Sequence, residues 1–168
     1  MKRLQIHTLI LWCGLCVLGS VSLSAHSEET SPLAVVVSSN PQLGSVPQLT
    51  ARELTQIYWR KKQYWQGGAR IHPVNLHAEH PLRILFSKVV LDSLPSEQAD
   101  YWNGLYFHGT TPPYSVQSEE AVLRYVSSTK GAIGYISACS LDERVKPLLW
   151  IDQRTISSSK PEYHCQPQ

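Results

Sequence analysis

The sequence predicts an α/β fold in which helices flank a mixed, mostly parallel sheet. A continuous apolar, β-branched run at residues 33–38 is typical of a buried strand, and the turn-forming pair Asn40-Pro41 ends it. A second apolar run at residues 132–137 predicts another strand, and amphipathic segments lie between the two. Strands that alternate with helices favour a layered structure whose sheet is largely parallel.

The first helix and the second strand are predicted from local signals. Thr50, with Glu53 three residues later, forms a capping box, and the apolar spacing that follows predicts a helix ending near Arg60. A Gly-Gly turn then leads into a strand at residues 71–76. Pro73 within this segment favours an edge strand or a strand end, because proline cannot donate to the ladder.

Three further helices and a last strand complete the predicted domain. A proline at the first turn opens a helix at residues 81–90, and the next helix begins at Pro95 or Ser96. After a loop that contains two prolines, Ser118 caps the last helix. The final predicted strand covers residues 148–151.

The first 27 residues are predicted to be a signal peptide. Lys2 and Arg3 precede an apolar run at residues 9–18, and small or polar residues follow it. This apolar core is shorter than the roughly 20 residues that span a bilayer, and an uncleaved anchor is the alternative. We therefore expect an exported, periplasmic protein.

The mature chain of about 141 residues is long enough for one domain but not for two. We assign residues 28–155 to the α/β domain and residues 156–168 to an irregular C-terminal tail. No internal repeat is apparent. The organisation predicted from the sequence is thus a leader, one domain and a short tail.

The charge balance argues against a nucleic-acid partner. The 15 Lys plus Arg residues outnumber the 13 Asp plus Glu residues only by Lys2 and Arg3, which belong to the predicted leader. The mature chain is therefore close to neutral with histidine uncharged. Residues 60–62 form a short basic run, Arg-Lys-Lys, which we interpret as a solvated face.

Two cysteines remain after the predicted cleavage, Cys139 and Cys165. In an exported protein an even pair favours a disulfide, which would tie the tail to the end of the strand at residues 132–137. Closing such a loop of about 25 residues stabilises the fold by roughly 3 kcal/mol in the chain-entropy model. Two unpaired thiols are the alternative.

Eight short segments together resemble a known family in their order and spacing. They are residues 50–54, 57–59, 65–68, 71–74, 83–86, 101–102, 107–109 and 131–135. The series is similar to the second lobe of the phosphate-binding proteins that serve ABC transporters. The resemblance implies one lobe of a type 2 periplasmic-binding-protein-like fold, in a short, single-lobe form.

The resemblance also identifies the segment where the family holds its anion. In the family, an Arg and an Asp-Gly-Ser-Gly-Thr segment follow the Pro-Val-type strand, where hydroxyls and helix N-terminal amides bind phosphate. A gapless alignment places Leu76 at the Arg position and residues 78–82 across the rest. Because Glu79 replaces part of this chemistry with a negative charge, we expect no tight phosphate capture.

Five residues form a weak candidate anion site in the sequence. They are Ser38, Ser39, Asn40, His80 and Arg83. A small oxyanion is the ligand that such hydroxyl, amide and cationic groups could hold.

A possible metal site is suggested by three histidines and one glutamate that lie close together in the sequence. They are His72, His77, His80 and Glu79. Pro81 fixes the following backbone and no cysteine is near, so we interpret residues 77–80 as a solvated loop and expect no metal and no cofactor.

The sequence shows no catalytic constellation. It has no Gly-x-Ser-x-Gly motif, and its Glu119-Glu120 pair is typical of a helix N-terminal turn. Aromatic residues are frequent between residues 58 and 107. We favour packing of these side chains in the core over a stacking platform for a sugar or peptide. We therefore expect a non-enzyme.

The predicted function is an exported module that senses a ligand or binds a periplasmic or membrane protein, without tight phosphate capture. The alternative is the solute-binding component of an ABC transporter for phosphate or another oxyanion. The two differ in affinity, since a transporter component should bind its anion at micromolar strength or better.

Overall fold

A computed structural model describes residues 31–43 and 48–165. The predicted signal peptide lies outside the described residues. No helix within these two ranges is long and apolar enough to cross a membrane.

Six strands form one mixed sheet in the order β3-β2-β4-β1-β5-β6. They are β1 (Leu33–Ser38), β2 (His72–Leu76), β3 (Tyr114–Val116), β4 (Ala132–Ser137), β5 (Val145–Ile151) and β6 (Ile156–Ser157). The pairs β2–β3 and β2–β4 are parallel, whereas β1–β4, β1–β5 and β5–β6 are antiparallel. The predicted α/β fold with a mixed sheet is confirmed.

The parallel share of the sheet is smaller than we expected. β1 runs opposite to both of its neighbours, so that Leu33 pairs with Ser137 of β4 and with Ile151 of β5. The alternation of strands and helices predicts crossovers, but it does not fix the direction of β1. The long connection between β1 and β2 allows either direction, and tertiary pairing selects the antiparallel one.

Four helices accompany the sheet, and local signals set their bounds. They are α1 (Ala51–Tyr58), α2 (Pro81–Phe86), which continues as a wider π-type turn (Ser87–Leu91), α3 (Ala99–Tyr106) and α4 (Glu119–Ser128). The Thr50 side chain accepts from the Glu53 N–H while Glu53 accepts from the Thr50 N–H, so the predicted capping box is present. The Ser118 hydroxyl caps α4 by accepting from the Ala121 N–H. Short 3-10 turns cover Pro41–Leu43, Pro95–Glu97 and Ala138–Ser140.

The helices lie on both faces of the sheet. A Cβ atom at Gly134 of β4 would come within 2.6 Å of Val122 Cγ1, so α4 packs closely on that face. The next residue, Tyr135, points to the other face because side chains alternate along a strand. There its ring stacks on Phe86 of α2 at 4.0 Å, and Tyr58 of α1 contacts Phe86 at 4.5 Å.

Two buried phenols join β2 to β4 beyond the short ladder between these strands. The ladder itself pairs His72 with Ala132 and Pro73 with Ile133. Further along, the Tyr58 hydroxyl donates to the carbonyl of Val74 at 3.1 Å, with Ile133 O at 3.4 Å.

The Tyr135 hydroxyl forms further hydrogen bonds to β2, nearer the end of that strand. It donates to Asn75 Oδ1 at 3.2 Å and accepts from the Leu76 N–H at 3.3 Å. The two phenols thus provide hydrogen-bond partners for buried polar groups that the backbone ladder does not pair.

Several local expectations meet a different outcome in the fold. Pro73 lies at the start of β2, an interior strand, so its position is a strand end and not an edge. β3 was not predicted, because a three-residue strand after two prolines carries no periodic signal. The region we assigned to an irregular tail contains β6, which pairs with β5.

The predicted disulfide is present and anchors the tail. Cys139 and Cys165 are joined with their Cα atoms 5.5 Å apart. Cys139 lies in the 3-10 turn that follows β4. The Tyr163 ring lies near Trp150 of β5, with centroids 6.0 Å apart. The tail therefore lies against the sheet after its last strand.

The expected core packing of the aromatic residues holds only for some of them. Tyr58 and Trp65 are buried, whereas Tyr106 and Phe107 at the end of α3 are 66% and 85% exposed. No residue of α3 is buried. Sequence composition could not separate the two groups, because both lie in helices or turns of similar polarity.

Candidate functional site

The structure does not bring the five predicted anion-site residues together. β2 and β4 begin at one edge of the sheet, which we call the amino edge, and end at the other, the carboxyl edge. Because β1 is antiparallel to β4, Ser38 at its end lies at the amino edge. His80 follows β2 and lies at the carboxyl edge. A strand of six residues separates its ends by roughly 17 Å.

Ser38, Ser39 and Asn40 instead form the turn after β1. Ser38 Oγ accepts from the Asn40 N–H at 3.1 Å, and Asn40 Oδ1 accepts from the Gln42 N–H at 3.0 Å. The Ser39 N–H donates to the carbonyl of Arg144 at 3.0 Å. These groups are used in local turn formation, as is common for serine and asparagine.

The loop of residues 77–80 connects β2 to α2 at the carboxyl edge. The His77 N–H donates to the carbonyl of Val116, and the His80 N–H donates to the carbonyl of His77 at 3.0 Å. His80 caps α2, since its Nδ1 accepts from the Leu82 N–H at 3.2 Å. Pro81 occupies the first helical turn and has no N–H. Several amides that could meet an anion are thus absent or already bonded.

A carboxylate of the protein lies at the same edge. The Ser137 N–H at the end of β4 donates to Glu119 Oε2 at 2.5 Å. Glu119 is close enough to His80 to act on its pKa: burial lowers the pKa of His80, the Glu119 charge opposes this, and His77 adds to the lowering. Glu79 in the loop is exposed. The carboxylates of Glu79 and Glu119 thus both belong to the surroundings of this loop.

The neighbouring Glu120 is held by cations. It accepts from Arg144 Nη2 at 2.7 Å and from Arg124 Nε at 2.8 Å. The hydrogen bonds from Arg144 and then Arg124 lower the pKa of Glu120 to about 2. Arg124 and Arg144 are consequently paired with carboxylates and do not supply a free positive charge.

Arg83 is a buried structural residue beneath the carboxyl edge. Its side chain is 7% exposed, and Nη2 donates to Gln98 Oε1 at 3.1 Å. Gln98 in turn donates to the carbonyl of Ser93. Burial raises the pKa of the Tyr135 phenol to about 12, and the Arg83 charge opposes that rise. Within the part of the chain that the structure describes, Arg83 Nη1 has no hydrogen-bond partner.

Leu76, which the gapless alignment places at the family's arginine position, is the last residue of β2. Its side chain is 1% exposed and packs in the core. His77 is the first residue whose side chain is partly exposed at this edge.

The histidines do not form one cluster. His77 and His80 have ring centroids 5.4 Å apart, but His72 lies at the opposite, amino edge. Among residues 31–43 and 48–165, no group of three or more His, Cys, Asp or Glu residues could hold a metal ion.

Sequence reasoning missed the role of Glu119 at this edge. We interpreted it as part of a helix N-terminal turn, and it does begin α4. Its contact with Ser137 joins residues 18 positions apart, which no local pattern indicates. The available signal was weak: a carboxylate directly after a helix cap, followed later by a strand that ends in serine.

No family model and no curated protein matches the chain. Solved structures do match it. An ABC-type phosphate transport receptor from Vibrio cholerae is 23% identical with a TM-score of 0.54, over 70% of this chain and 45% of that one. PstS from Borrelia burgdorferi is 18% identical with a TM-score of 0.52, over 80% of this chain and 49% of that one.

These matches confirm the predicted resemblance at the level of the fold. The chain spans less than half the length of the solved structures that it matches. The chain therefore has the fold of one lobe of the substrate-binding proteins of phosphate ABC transporters.

Proposed function

We propose that the chain is an exported, single-lobe relative of phosphate-binding proteins that senses a ligand or binds a protein, without tight phosphate capture. The observation that carries this proposal is the carboxyl edge. There, residues 77–82 offer no arginine, hydroxyl or glycine, and the Glu119 carboxylate accepts from the Ser137 N–H.

The energetic argument concerns the lost hydrogen bonds to an anion. Each charge-assisted hydrogen bond contributes roughly 1.5 to 3 kcal/mol, so an arginine and two hydroxyls together contribute several kcal/mol. At about 1.4 kcal/mol per tenfold change, their absence moves a micromolar site into the millimolar range. Repulsion by Glu119 and Glu79 acts in the same direction.

Exposure of the carboxyl edge supports the same proposal. Glu79 in the loop of residues 77–80 is exposed, so a ligand there stays in contact with water. Water screens the interactions of such a ligand with the protein.

The test is isothermal titration of residues 28–168 with phosphate, sulfate and molybdate. We expect no saturable heat at micromolar concentrations of any of the three anions. A micromolar dissociation constant for phosphate would overturn the proposal and would favour the alternative, a solute-binding component of an ABC transporter. The fold shared with phosphate transport receptors supports that alternative.

A variant pair tests the proposed role of Glu119. Glu119→Gln keeps an oxygen that can accept from Ser137 but removes the charge, so phosphate binding should strengthen measurably and stay weaker than micromolar. Glu143→Gln, an exposed glutamate in the connection before β5, is the matched control and should change nothing. Equal phosphate affinity in the two variants would show that the Glu119 charge does not weaken phosphate binding.

A further inference from the structure

A pocket of about 300 Å³ opens at the amino edge, away from the loop discussed above. Arg60, Arg70 and His72 line it together with Pro112, Tyr114 and Tyr125. The pocket therefore combines basic side chains with proline and aromatic side chains.

The basic side chains of this pocket have no carboxylate to neutralise them in the described part of the chain. The four ion pairs found there involve Lys62, Arg124 and Arg144, and none involves Arg60, Arg70 or His72. The three groups act on one another instead. Burial lowers the pKa of Arg60 and the Arg70 charge lowers it further, and burial followed by the charges of Arg70 and Arg60 lowers the pKa of His72. An anion in the pocket would relieve this repulsion.

Arg60 occupies a backbone position that favours glycine. Its φ is 59°, in the left-handed region, and it directly follows the C-cap of α1. The Arg60 N–H donates to the carbonyl of Ile57 at 3.0 Å and the Lys61 N–H to that of Gln56 at 2.8 Å, which is the Schellman arrangement. Residues with a Cβ atom are disfavoured there, and such strain is often found at functional sites.

The Arg60 guanidinium has donors to spare. Nη1 donates to the carbonyl of Ile71 at 3.4 Å, which is a long hydrogen bond. Its Nε is shielded from solvent and has no partner in the described ranges. A pocket ligand would therefore be held by the Nη groups, where Nη1 forms only this one long hydrogen bond and can still donate to an anionic oxygen.

Two aromatic rings in the lining suit a flat apolar group. The rings of Tyr114 and Tyr125 are 5.4 Å apart at an interplanar angle of 31°. Tyr114 is 59% exposed, so part of its side chain remains available for contact. An inorganic oxyanion would make no use of these apolar surfaces.

We propose that this pocket binds a small organic carboxylate with a flat, apolar body, such as an aromatic carboxylate. Arg60 and Arg70 hold the carboxylate, and Tyr114, Tyr125 and Pro112 contact the ring. This site is separate from the carboxyl edge and does not depend on the proposed function, so the two can fail independently.

The first experiment compares three probes by titration and by ¹H–¹⁵N shift mapping of residues 28–168. Sodium benzoate should bind saturably, with a dissociation constant on the order of millimolar or tighter. Benzamide, which keeps the ring but not the charge, and inorganic phosphate should each bind at least tenfold more weakly. The shifts caused by benzoate should centre on Arg60, His72 and Tyr125, and not on His77 and His80.

The second experiment uses Arg60→Gly, because glycine suits the left-handed backbone and the fold should be kept. We expect benzoate affinity to fall at least tenfold while the midpoint of thermal unfolding stays the same or rises. Lys61→Ala removes the same charge from an exposed neighbouring side chain and should change affinity less than twofold.

Arg70→Ala gives an independent measurement of the same pocket, since this side chain is exposed and its removal leaves the core intact. It should also weaken benzoate binding at least tenfold. The proposal is overturned if benzoate does not bind in the millimolar range, if benzamide or phosphate binds as well as benzoate, or if the shifts centre on His77 and His80. Unchanged benzoate affinity in Arg70→Ala would equally overturn it.

Discussion

The two edges of the parallel strand pair β2–β4 differ in how their charged groups are satisfied. At the carboxyl edge, Glu119 accepts from Ser137 and the nearby Glu120 is paired with Arg124 and Arg144. At the amino edge, Arg60 and Arg70 line one pocket, and neither is paired with a carboxylate of the described residues. A fold shared with phosphate-binding proteins therefore does not by itself indicate where an anion binds, because the local balance of donors and acceptors decides it.

Removing the disulfide should have the largest effect on stability. Local opening should increase more at the carboxyl edge than at the amino edge. Cys139 and Cys165 are 26 residues apart and tie the tail to the turn after β4. Cys139→Ser combined with Cys165→Ser should cost about 3 kcal/mol of unfolding free energy in the chain-entropy model. Urea denaturation measures the loss. Hydrogen exchange should accelerate more at Ser137 than at His72.

A loss below about 1 kcal/mol would contradict that prediction. Cys165→Ser alone is the matched comparison, since breaking the bond from the tail side should give nearly the same loss as the double variant.

Gly134→Ala should have an intermediate effect and should disturb both edges together. Its new Cβ would lie 2.6 Å from Val122 Cγ1 and 2.9 Å from Val74 Cγ1, so α4 must move away from the sheet. Overpacking of this kind costs about 2 kcal/mol. The measurement is the unfolding free energy in urea.

Gly104→Ala is the matched control for this prediction. Gly104 lies in α3, and a Cβ there meets nothing within 4 Å. Alanine in a helix is favoured by up to about 1 kcal/mol over glycine, so this variant should be neutral or more stable. Equal effects of the two substitutions would show that α4 does not pack on Gly134 as described.

The smallest expected effect is on the pH dependence of stability. His80 lies at the carboxyl edge and His72 at the amino edge, so variants of each histidine report on one edge. Burial is the main cause that lowers the pKa of both His80 and His72 below the ordinary value of 6.5. A lowered pKa in the folded state means that stability is present above about pH 6.5 and is lost as the pH falls below it. His80→Asn retains an N-cap residue but does not titrate, so it should reduce this acid sensitivity.

The contribution of each ring should be below about 1 kcal/mol, because both side chains are partly exposed and screened by water. Urea midpoints of the wild type, His80→Asn and His72→Asn, measured from about pH 7.5 to 5, provide the check. His164→Asn in the exposed tail is the control. If the wild type loses no more stability on acidification than the His80 and His72 variants, the assigned pKa directions are wrong.

Local signals in the sequence were sufficient for most elements of the fold. The capping box at Thr50, the Ser118 cap and the apolar run of β4 each depend on residues within one turn or one strand, and each is present in the structure. β3 and the direction of β1 depend on pairing between distant residues, which composition and periodicity do not contain.

The candidate sites show the same limit more strongly. Grouping Ser38 with His80 assumed that β1 and β2 end at the same edge, and their antiparallel relation reverses that. The run at residues 60–62 is interpreted from sequence as a solvated face, because neither the left-handed backbone of Arg60 nor its shielded Nε is visible in a list of residues. The Cys139–Cys165 bond was predictable because an even pair of cysteines in a chain that is expected to be exported has few alternatives.

The two phenols between β2 and β4 give the molecule a built-in optical reporter. Burial raises the pKa of Tyr58 well above its usual value and that of Tyr135 to about 12, whereas an exposed tyrosine ionises near pH 10. At a pH between these values, both rings stay protonated only while the strands remain closed around them. Separation of β2 from β4 would convert both rings to phenolates, whose ultraviolet absorbance is distinct. The rate of this strand separation can therefore be measured without a label.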